Sequence, residues 1–410
     1  MKKILITCFD MEVGGVERSL INLLENFDYT KYSVDLMLFR HKGDFMDLIP
    51  KKVNLLNEIP QYSTFRKSIR EMIRDKYFIL SGTRIIAKCG SYINRKNKGL
   101  KEPGIYQMQL SWKYGIPFLP KLENEYDIAI SYLWPHYFTA DKINAKTKIA
   151  WIHTDYSTID IDVNMDFEIW NRFDYIIAVS DSCKDSFLQK FKSLQDKVLV
   201  IENIASPELN RALSLANINN PMKMDKRFKI VTVARLSYQK GIDQAIEVMN
   251  KLRKKGFHNI SWYVIGYGGE EKVLKDLIKK YQLEDCFFLL GKQTNPYPFM
   301  SCGDLYVQPS RYEGKAVTVT EAKTLFKPVL ITNYPTASSQ IIDGIDGFIC
   351  PMGIEGLTNK IQELIESPDK LEKLRRNLEG VKTENSEEIL KLYKLFDDKI
   401  EDGLFTKEVI

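Results

Sequence analysis

Short apolar runs that read as buried strands alternate with amphipathic runs that read as helices, and the pattern occurs twice along the chain. The first series has strands at 4–9, 32–39, 126–132, 147–152, 175–179 and 197–201, and the second at 228–234, 261–265, 287–290 and 304–307. After the first strand, Leu20, Leu23, Leu24 and Phe27 recur at helical spacing, which predicts a helix over 19–27. Such alternation requires a parallel sheet covered by helices on both faces. The segment 202–226 separates the series, with Pro207, Pro221 and Asn217-Ile218-Asn219-Asn220 as linker signals. A chain of 410 residues accommodates two domains, each with its own core. The expected division is 1–203, 204–384 and an amphipathic C-terminal helix within 385–410 that carries Ile389, Leu390, Leu392, Tyr393 and Phe396.

Composition is that of a globular protein, with 44% hydrophobic and 28% charged residues. The cysteines at 8, 89, 183, 286, 302 and 350 form no CxxC pair, which argues against a zinc site or disulfide framework and for a reducing cytosol. The four histidines show no metal-ligand spacing. Met1-Lys2-Lys3 and the apolar run behind it mimic a signal peptide, but the run ends at Asp10 and is too short. No run of 18 apolar residues predicts a spanning helix.

Two strand-to-helix junctions in the second series carry anion-binding chemistry. Gln308-Pro309-Ser310-Arg311-Tyr312-Glu313-Gly314 leads from a strand into a helical run over 316–326. Free amides of a first helical turn and the helix dipole favour an anion, so a phosphate fits over Lys315, Ala316 and Val317. Glu321 lies four residues beyond Val317 on the same helix face, about 6 Å further along, roughly the step from a diphosphate to a ribose. Its carboxylate can accept two hydroxyl hydrogen bonds. At the other junction Arg235 and Lys240 can clamp a diphosphate, the arginine in bidentate fashion and the lysine as a point charge. Gly14 and Gly15, after the first strand, permit a sharp turn and close approach of a ligand.

The Glu313-x7-Glu321 spacing, with Arg235 and Lys240-Gly241 upstream, resembles the retaining nucleotide-sugar glycosyltransferases of the GT-B fold, family 4, of bacterial capsule and polysaccharide type. Phe287-Phe288-Leu289-Leu290-Gly291 and Asn295-Pro296-Tyr297-Pro298 fall at further landmarks of that family, so the resemblance is dense over 235–346. Before that it rests on Gly14, Gly15 and His153, the last after the strand 147–152. The resemblance implies two Rossmann-like domains around a cleft, with the C-terminal helix crossing back to the first domain. It implies that Glu321 holds the ribose and that Arg235, Lys240 and the amides of Lys315, Ala316 and Val317 hold the diphosphate. Glu313 and His153 would bind sugar hydroxyls near the reacting carbon, Gly14 and Gly15 would face the donor diphosphate and the acceptor, Gly314 would border the diphosphate, and Lys292 and Gln293 would lie against the nucleobase, mostly through backbone. The implied reaction is retaining, front-face transfer of a hexose or N-acetylhexosamine from a UDP-sugar to a lipid-linked or polysaccharide acceptor, without metal or cofactor. Lys315 stands where the family often has an apolar residue or proline, and adds a cation near the phosphates. Asn203-Ile204 replaces a frequent Asn-Gly. Asp160-Ile161-Asp162 resembles the metal-binding Asp-x-Asp of the other glycosyltransferase fold, but follows a loop rather than a strand end.

The segment 66–101 interrupts the first series, within an insertion of about 62–115. It holds eleven basic and two acidic residues, a local charge of +9 against +5 for the whole chain, interleaved with apolar and aromatic residues. That mixture suits an anionic membrane surface or lipid-linked phosphates, giving a cytoplasmic protein peripheral on the inner membrane face, with nucleic acid as the rival partner. Two other functions fit the architecture: a nucleotide-sugar epimerase, in which the insertion has no purpose, and a non-catalytic membrane-associated subunit that only binds nucleotide sugar.

Overall fold

The computed structural model describes residues 1–98, 103–380, 385 and 387–397. Among these, two all-parallel sheets form the centres of two domains. The first contains β1 (Lys2–Cys8), β2 (Tyr32–Leu38), β3 (Asn54–Leu55), β4 (Glu125–Ser131), β5 (Asn144–Ile152), β6 (Tyr175–Ala178) and β7 (Val198–Val200), in the order β3-β2-β1-β4-β5-β6-β7. The second contains β8 (Phe228–Val233), β9 (Ile260–Ile265), β10 (Phe287–Leu289), β11 (Leu305–Gln308), β12 (Val329–Thr332) and β13 (Phe348–Cys350), in the order β10-β9-β8-β11-β12-β13. The order reverses between β1 and β4 and between β8 and β11, and the crevice beyond the carboxyl ends of the strands at such a switch point is where ligands bind in these sheets. The loops after β1, β8 and β11 carry Gly14-Gly15, Arg235 to Lys240, and Glu313-Gly314.

Burial explains why the strands are nearly continuous apolar runs. Ile4, Leu5 and Ile6 of β1 are all inaccessible, because β2 pairs on one side, β4 on the other, and helices cover both faces. In β8 adjacent residues feed separate cores: Ile230 packs with Trp262, Leu252 and Leu364, whereas Val231 packs with Tyr297, Val319 and Ile331.

The first helix runs over Gly15–Glu25, four residues earlier than its apolar spacing predicts. Its first turn is polar, yet Glu17 and Arg18 are buried, because this turn points into the space between the domains rather than at a core.

The chain passes between the domains twice. Near 202–205 it enters the second domain, and helix Glu388–Asp397 lies back on the first, with Tyr393 4.8 Å from Tyr32 and Phe396 5.3 Å from Tyr32 between ring centroids. Residues 398–410, the rest of the expected C-terminal element, lie outside the described residues. The two passages are hydrogen-bonded to each other. The amide of Ala205 donates to Asn385 Oδ1 (2.8 Å), Asn385 Nδ2 donates to the carbonyl of Asn203 (3.1 Å), and the amide of Glu202 donates to Glu388 Oε2 (2.9 Å).

The basic segment is helical, with Ile69–Arg74, Phe78–Lys98 and Pro103–Gly115. Its inner side joins the first core, where Trp112 stacks on Phe65 at 3.9 Å. Its outer side leaves Phe78, Ile79, Ile85, Ile86, Tyr92 and Ile93 between 45% and 80% exposed. The basic residues are not all directed outward. Arg84 donates to the carbonyl of Phe65, and burial holds its pKa down. Arg66 pairs with Asp10 at 3.2 Å, and Lys67 with Asp75 at 2.9 Å. The side chains of Arg95, Lys96 and Lys98, and residue Lys101, lie outside the described part of the structure.

Candidate active site

A cavity of about 360 Å³ lies between the two domains, at the carboxyl ends of both sheets. The structure brings together here, from the first domain, Gly14, Gly15 and His153, and from the second, Arg235, Lys240, Gln293, Glu313 and Glu321 with the Gly314-Lys315-Ala316-Val317 turn.

Two helix starts face each other across the cavity. Helix Gly15–Glu25 begins behind Gly14, and helix Val317–Thr324 begins behind Ala316; neither N-cap is closed by a side-chain hydrogen bond. The first-turn amides of both are therefore directed at the same space, where an anion would be stabilised from two sides. The approach is close: a Cβ on Gly15 would lie 3.8 Å from Val317. Gly314 is a position where only glycine fits, since a Cβ would come within 2.5 Å of the carbonyl oxygen of His153 in the other domain. Gly241 serves the Lys240 turn in a comparable way, with φ of +66° and a Cβ that would meet the Pro309 oxygen at 2.1 Å.

Glu313 is buried and fully engaged. Lys240 Nζ donates to both its oxygens, at 2.6 and 2.7 Å. Ser310 Oγ and Gln308 Nε2 add bonds to Oε1 at 2.6 and 3.1 Å, and Thr336 donates to its backbone carbonyl. The pair presents a fixed, nearly neutral polar group, with the ammonium at the cavity wall.

Glu321 is also buried. Tyr297 Oη donates to its Oε1 at 2.7 Å, and Arg18 Nε stands 3.9 Å from the same oxygen. Removal from water pushes its pKa up, and Arg18 and Tyr297 oppose that shift. Arg18 itself is sandwiched by Phe45 and Tyr297, 4.3 and 5.5 Å from the ring centroids, and donates to the Thr294 carbonyl at 3.3 Å.

His153 follows β5. Burial pulls its pKa down to about 3, so the ring is neutral. It hydrogen-bonds the backbone of Tyr132, while Nε2 is buried without a partner in a residue that lines the cavity.

Lys315 departs from the expectation of a cation near the phosphates, whereas the side chains of Lys292 and Gln293, residues expected to act mostly through backbone, are engaged elsewhere. Lys315 turns its ammonium to Glu202 at 2.5 Å, so its charge bridges the domain junction instead of standing free over the helix start. Lys292 pairs with Glu12 at 2.6 Å and Asp44 at 2.8 Å, tying the β10 loop to the first domain. Gln293 donates to the Leu290 carbonyl, so its amide is partly committed to its own turn. Arg235 is the most open of the cations, with 60% of its side chain exposed and Nη2 4.0 Å from Glu17 Oε1.

Arg18, Glu17, Tyr297 and Ser310 were not singled out by sequence reasoning as site residues. Glu17 and Arg18 follow the Gly-Gly pair after Val16, and two charges there were the available signal. Asp162 caps helix Val163–Trp170 by accepting from the Met165 amide, and its own amide is held by Gln109. Among the described residues no group of His, Cys, Asp and Glu has the arrangement of a metal site.

The fold defines a GT-B protein, two parallel-sheet domains facing each other across a cleft. A crystal structure of Anabaena Alr3699/HepE in complex with UDP and glucose superposes with a TM-score of 0.68 over 97% of this chain and 100% of that one, at 17% identity. Residues 216–380 match the family described as glycosyl transferases group 1. An uncharacterized glycosyltransferase of Methanocaldococcus jannaschii is 30% identical over 175 residues, 41% of this chain and 42% of the relative. The amylovoran biosynthesis glycosyltransferase AmsD of Erwinia amylovora is 26% identical over 211 residues, 47% of this chain and 58% of that protein. The chain thus spans less than two thirds of the length of these two relatives. The sequence likenesses are thus to glycosyltransferases, and the structural likeness is one of fold.

Proposed function

We propose that this protein is a retaining glycosyltransferase that moves a hexose or N-acetylhexosamine from a UDP-sugar to a lipid-linked or polysaccharide acceptor in cell-surface glycan synthesis. The observation that carries the proposal is the meeting of two uncapped helix starts, Arg235 and the Lys240–Glu313 pair around one cavity, with Glu321 one helical turn deeper. The diphosphate would lie over Val317 and between the cations, and Glu321 would take the ribose hydroxyls. As the glycosidic bond breaks, charge accumulates on the leaving diphosphate, and fixed donors aimed there stabilise it without reorganisation. His153 Nε2 accepts a hydrogen bond from a sugar hydroxyl, which holds the donor sugar toward the first domain. In this reading no metal is needed, because the positive field comes from Arg235, Lys240 and the helix starts. Closure of the two domains on the donor would exclude water, the competing acceptor.

The lipid-side partner in this proposal is an anionic membrane surface on the cytoplasmic face. The exposed apolar pairs Phe78/Ile79, Ile85/Ile86 and Tyr92/Ile93 recur every seven residues and so share one face of helix Phe78–Lys98. That helix contains no acidic residue, which suits anionic headgroups and disfavours pairing with a second copy of itself. No helix of the described residues is long and apolar enough to cross a membrane.

The test is incubation of the full chain with a panel of labelled nucleotide sugars and anionic lipid extract. Transfer of label to lipid or glycan supports the reading. Altered free sugar nucleotide would point to an epimerase, and binding without turnover to a non-catalytic subunit.

A further inference from the structure

A second cavity, of about 290 Å³, adjoins the passages between the domains. Glu202, Asn203 and Asn385 of those passages line it, together with Thr320 and Lys323 of helix Val317–Thr324. Lys315 lines both cavities. Its backbone leads into the helix start that faces the donor space, whereas its ammonium is turned back to Glu202 Oε1 at 2.5 Å. The side chain therefore borders open space on two sides instead of running through a packed core.

The partner of this lysine is held differently from that of Lys240. Lys240 is bonded to both oxygens of Glu313, which Ser310 and Gln308 also hold in place. Glu202 keeps 40% of its side chain exposed, so water can solvate its carboxylate when the lysine leaves. Its backbone stays anchored, because the Glu202 amide donates to Glu388 Oε2 at 2.9 Å. Lysine carries its charge on a flexible stem and can change partners without moving its backbone. A diphosphate over Val317 has more negative charge than one carboxylate, and it would enter a cavity that Lys315 already lines.

We propose that Lys315 exchanges partners during turnover: its ammonium moves from Glu202 to the diphosphate when the donor binds, and Glu202 takes it back as the nucleoside diphosphate leaves. Glu202 is then a positioning residue that acts through Lys315. It competes with the nucleotide and so favours product release, a step that limits many enzymes of this kind of closure. Because Glu202 belongs to a passage between the domains, the exchange also releases that passage from the helix start when the cleft is filled. The inference rests on the donor site proposed above and adds a regulation to it.

The experiment is a double-variant cycle in the full chain, with UDP binding measured by calorimetry for wild type, Glu202→Gln, Lys315→Ala and the two combined. GDP replaces UDP throughout if wild type binds only GDP. Glu202→Gln frees the ammonium and should tighten UDP about 3- to 10-fold. Lys315→Ala should weaken UDP, and adding Glu202→Gln to it should bring little further change. Glu202→Ala and Lys315→Met stand in for either variant that does not fold. An ion pair that only braces the helix start gives the opposite sign, with Glu202→Gln weakening UDP. UDP affinity that is unchanged or lower in Glu202→Gln, or a gain just as large without Lys315, overturns the exchange and leaves the donor site standing. A wild type that binds neither UDP nor GDP overturns the donor-site reading and the exchange with it.

Discussion

Arg18, from the first domain, places its Nε 3.9 Å from Oε1 of Glu321, from the second, and both side chains are almost wholly buried. The carboxylate proposed to hold the ribose thus faces a cation across the domain boundary. Changing Glu321 to Ala removes a hydroxyl acceptor and strands Arg18, and should weaken UDP binding by about 1–3 kcal/mol. Calorimetry with UDP measures this directly, and unchanged affinity would place the nucleotide elsewhere.

Lys240 and Glu313 make a second buried pair whose halves depend on each other. Lys240→Ala leaves the Glu313 carboxylate with hydrogen bonds but no cation, and breaking such a pair costs about 3–5 kcal/mol where burial is complete. Lys240 retains 19% side-chain exposure, so the lower end applies. Urea unfolding should show the loss in Lys240→Ala and a smaller one when Glu313→Gln is added. An additive double variant would mean the two side chains are not coupled.

Metal dependence gives a third check. With the positive field supplied by side chains and helix starts, activity should be retained in EDTA. Loss in EDTA with recovery on adding Mn²⁺ would turn attention back to Asp160 and Asp162, despite the cap that Asp162 provides.

Acid should destabilise the fold through two histidines. Burial lowers both His136 and His153 to about 3, against an ordinary value of 6.5. Between those values the unfolded chain takes up protons that the native one refuses, so stability is complete above the unfolded pKa and declines as the pH falls below about 6.5. The limiting slope is about 1.4 kcal/mol per pH unit for each histidine. His136 is packed between Trp170 and Phe173 with Nδ1 on Ser131 Oγ at 2.7 Å. Denaturant titrations at pH 7 and 5.5 should show the decline, and a His136→Gln variant should show a shallower one.

The apolar stripe of helix Phe78–Lys98 offers a test of membrane binding. Replacing Phe78, Ile85 and Tyr92 with Ser should abolish co-flotation with anionic vesicles, and 1 M salt should weaken wild-type binding by shortening electrostatic screening to about 3 Å. Equal flotation on neutral and anionic vesicles would remove the preference for anionic lipid, and no flotation by wild type, or none lost in the variant, would favour a soluble acceptor.

The parallel sheets were legible because buried strands such as Ile4-Leu5-Ile6 are uninterrupted by polar residues, and Glu321 because its turn sits behind a recognisable strand and glycine. The pairing of Lys315 with Glu202 is not legible in the sequence, because the partner is more than a hundred residues away and only the arrangement of the domains brings them together. Arg84 was counted with the surface charges for a similar reason: its turn toward Phe65 depends on how the helical hairpin leans on the core. The strands β12 and β13, of four and three residues, are too short for periodicity to announce.

The paired passages between the domains constrain how the cavity can open. One connecting segment would act as a tether and allow the halves to swing and twist. Here the two connections are laced to each other through Asn385 to Asn203 and Ala205, and through Glu388 to Glu202. Twisting would shear those bonds, whereas bending along the line between the passages preserves them. The molecule therefore has the mechanics of a bound book: its two covers part along a spine, on one degree of freedom, and every opening returns Arg18, Glu17 and His153 to the same register with the facing page.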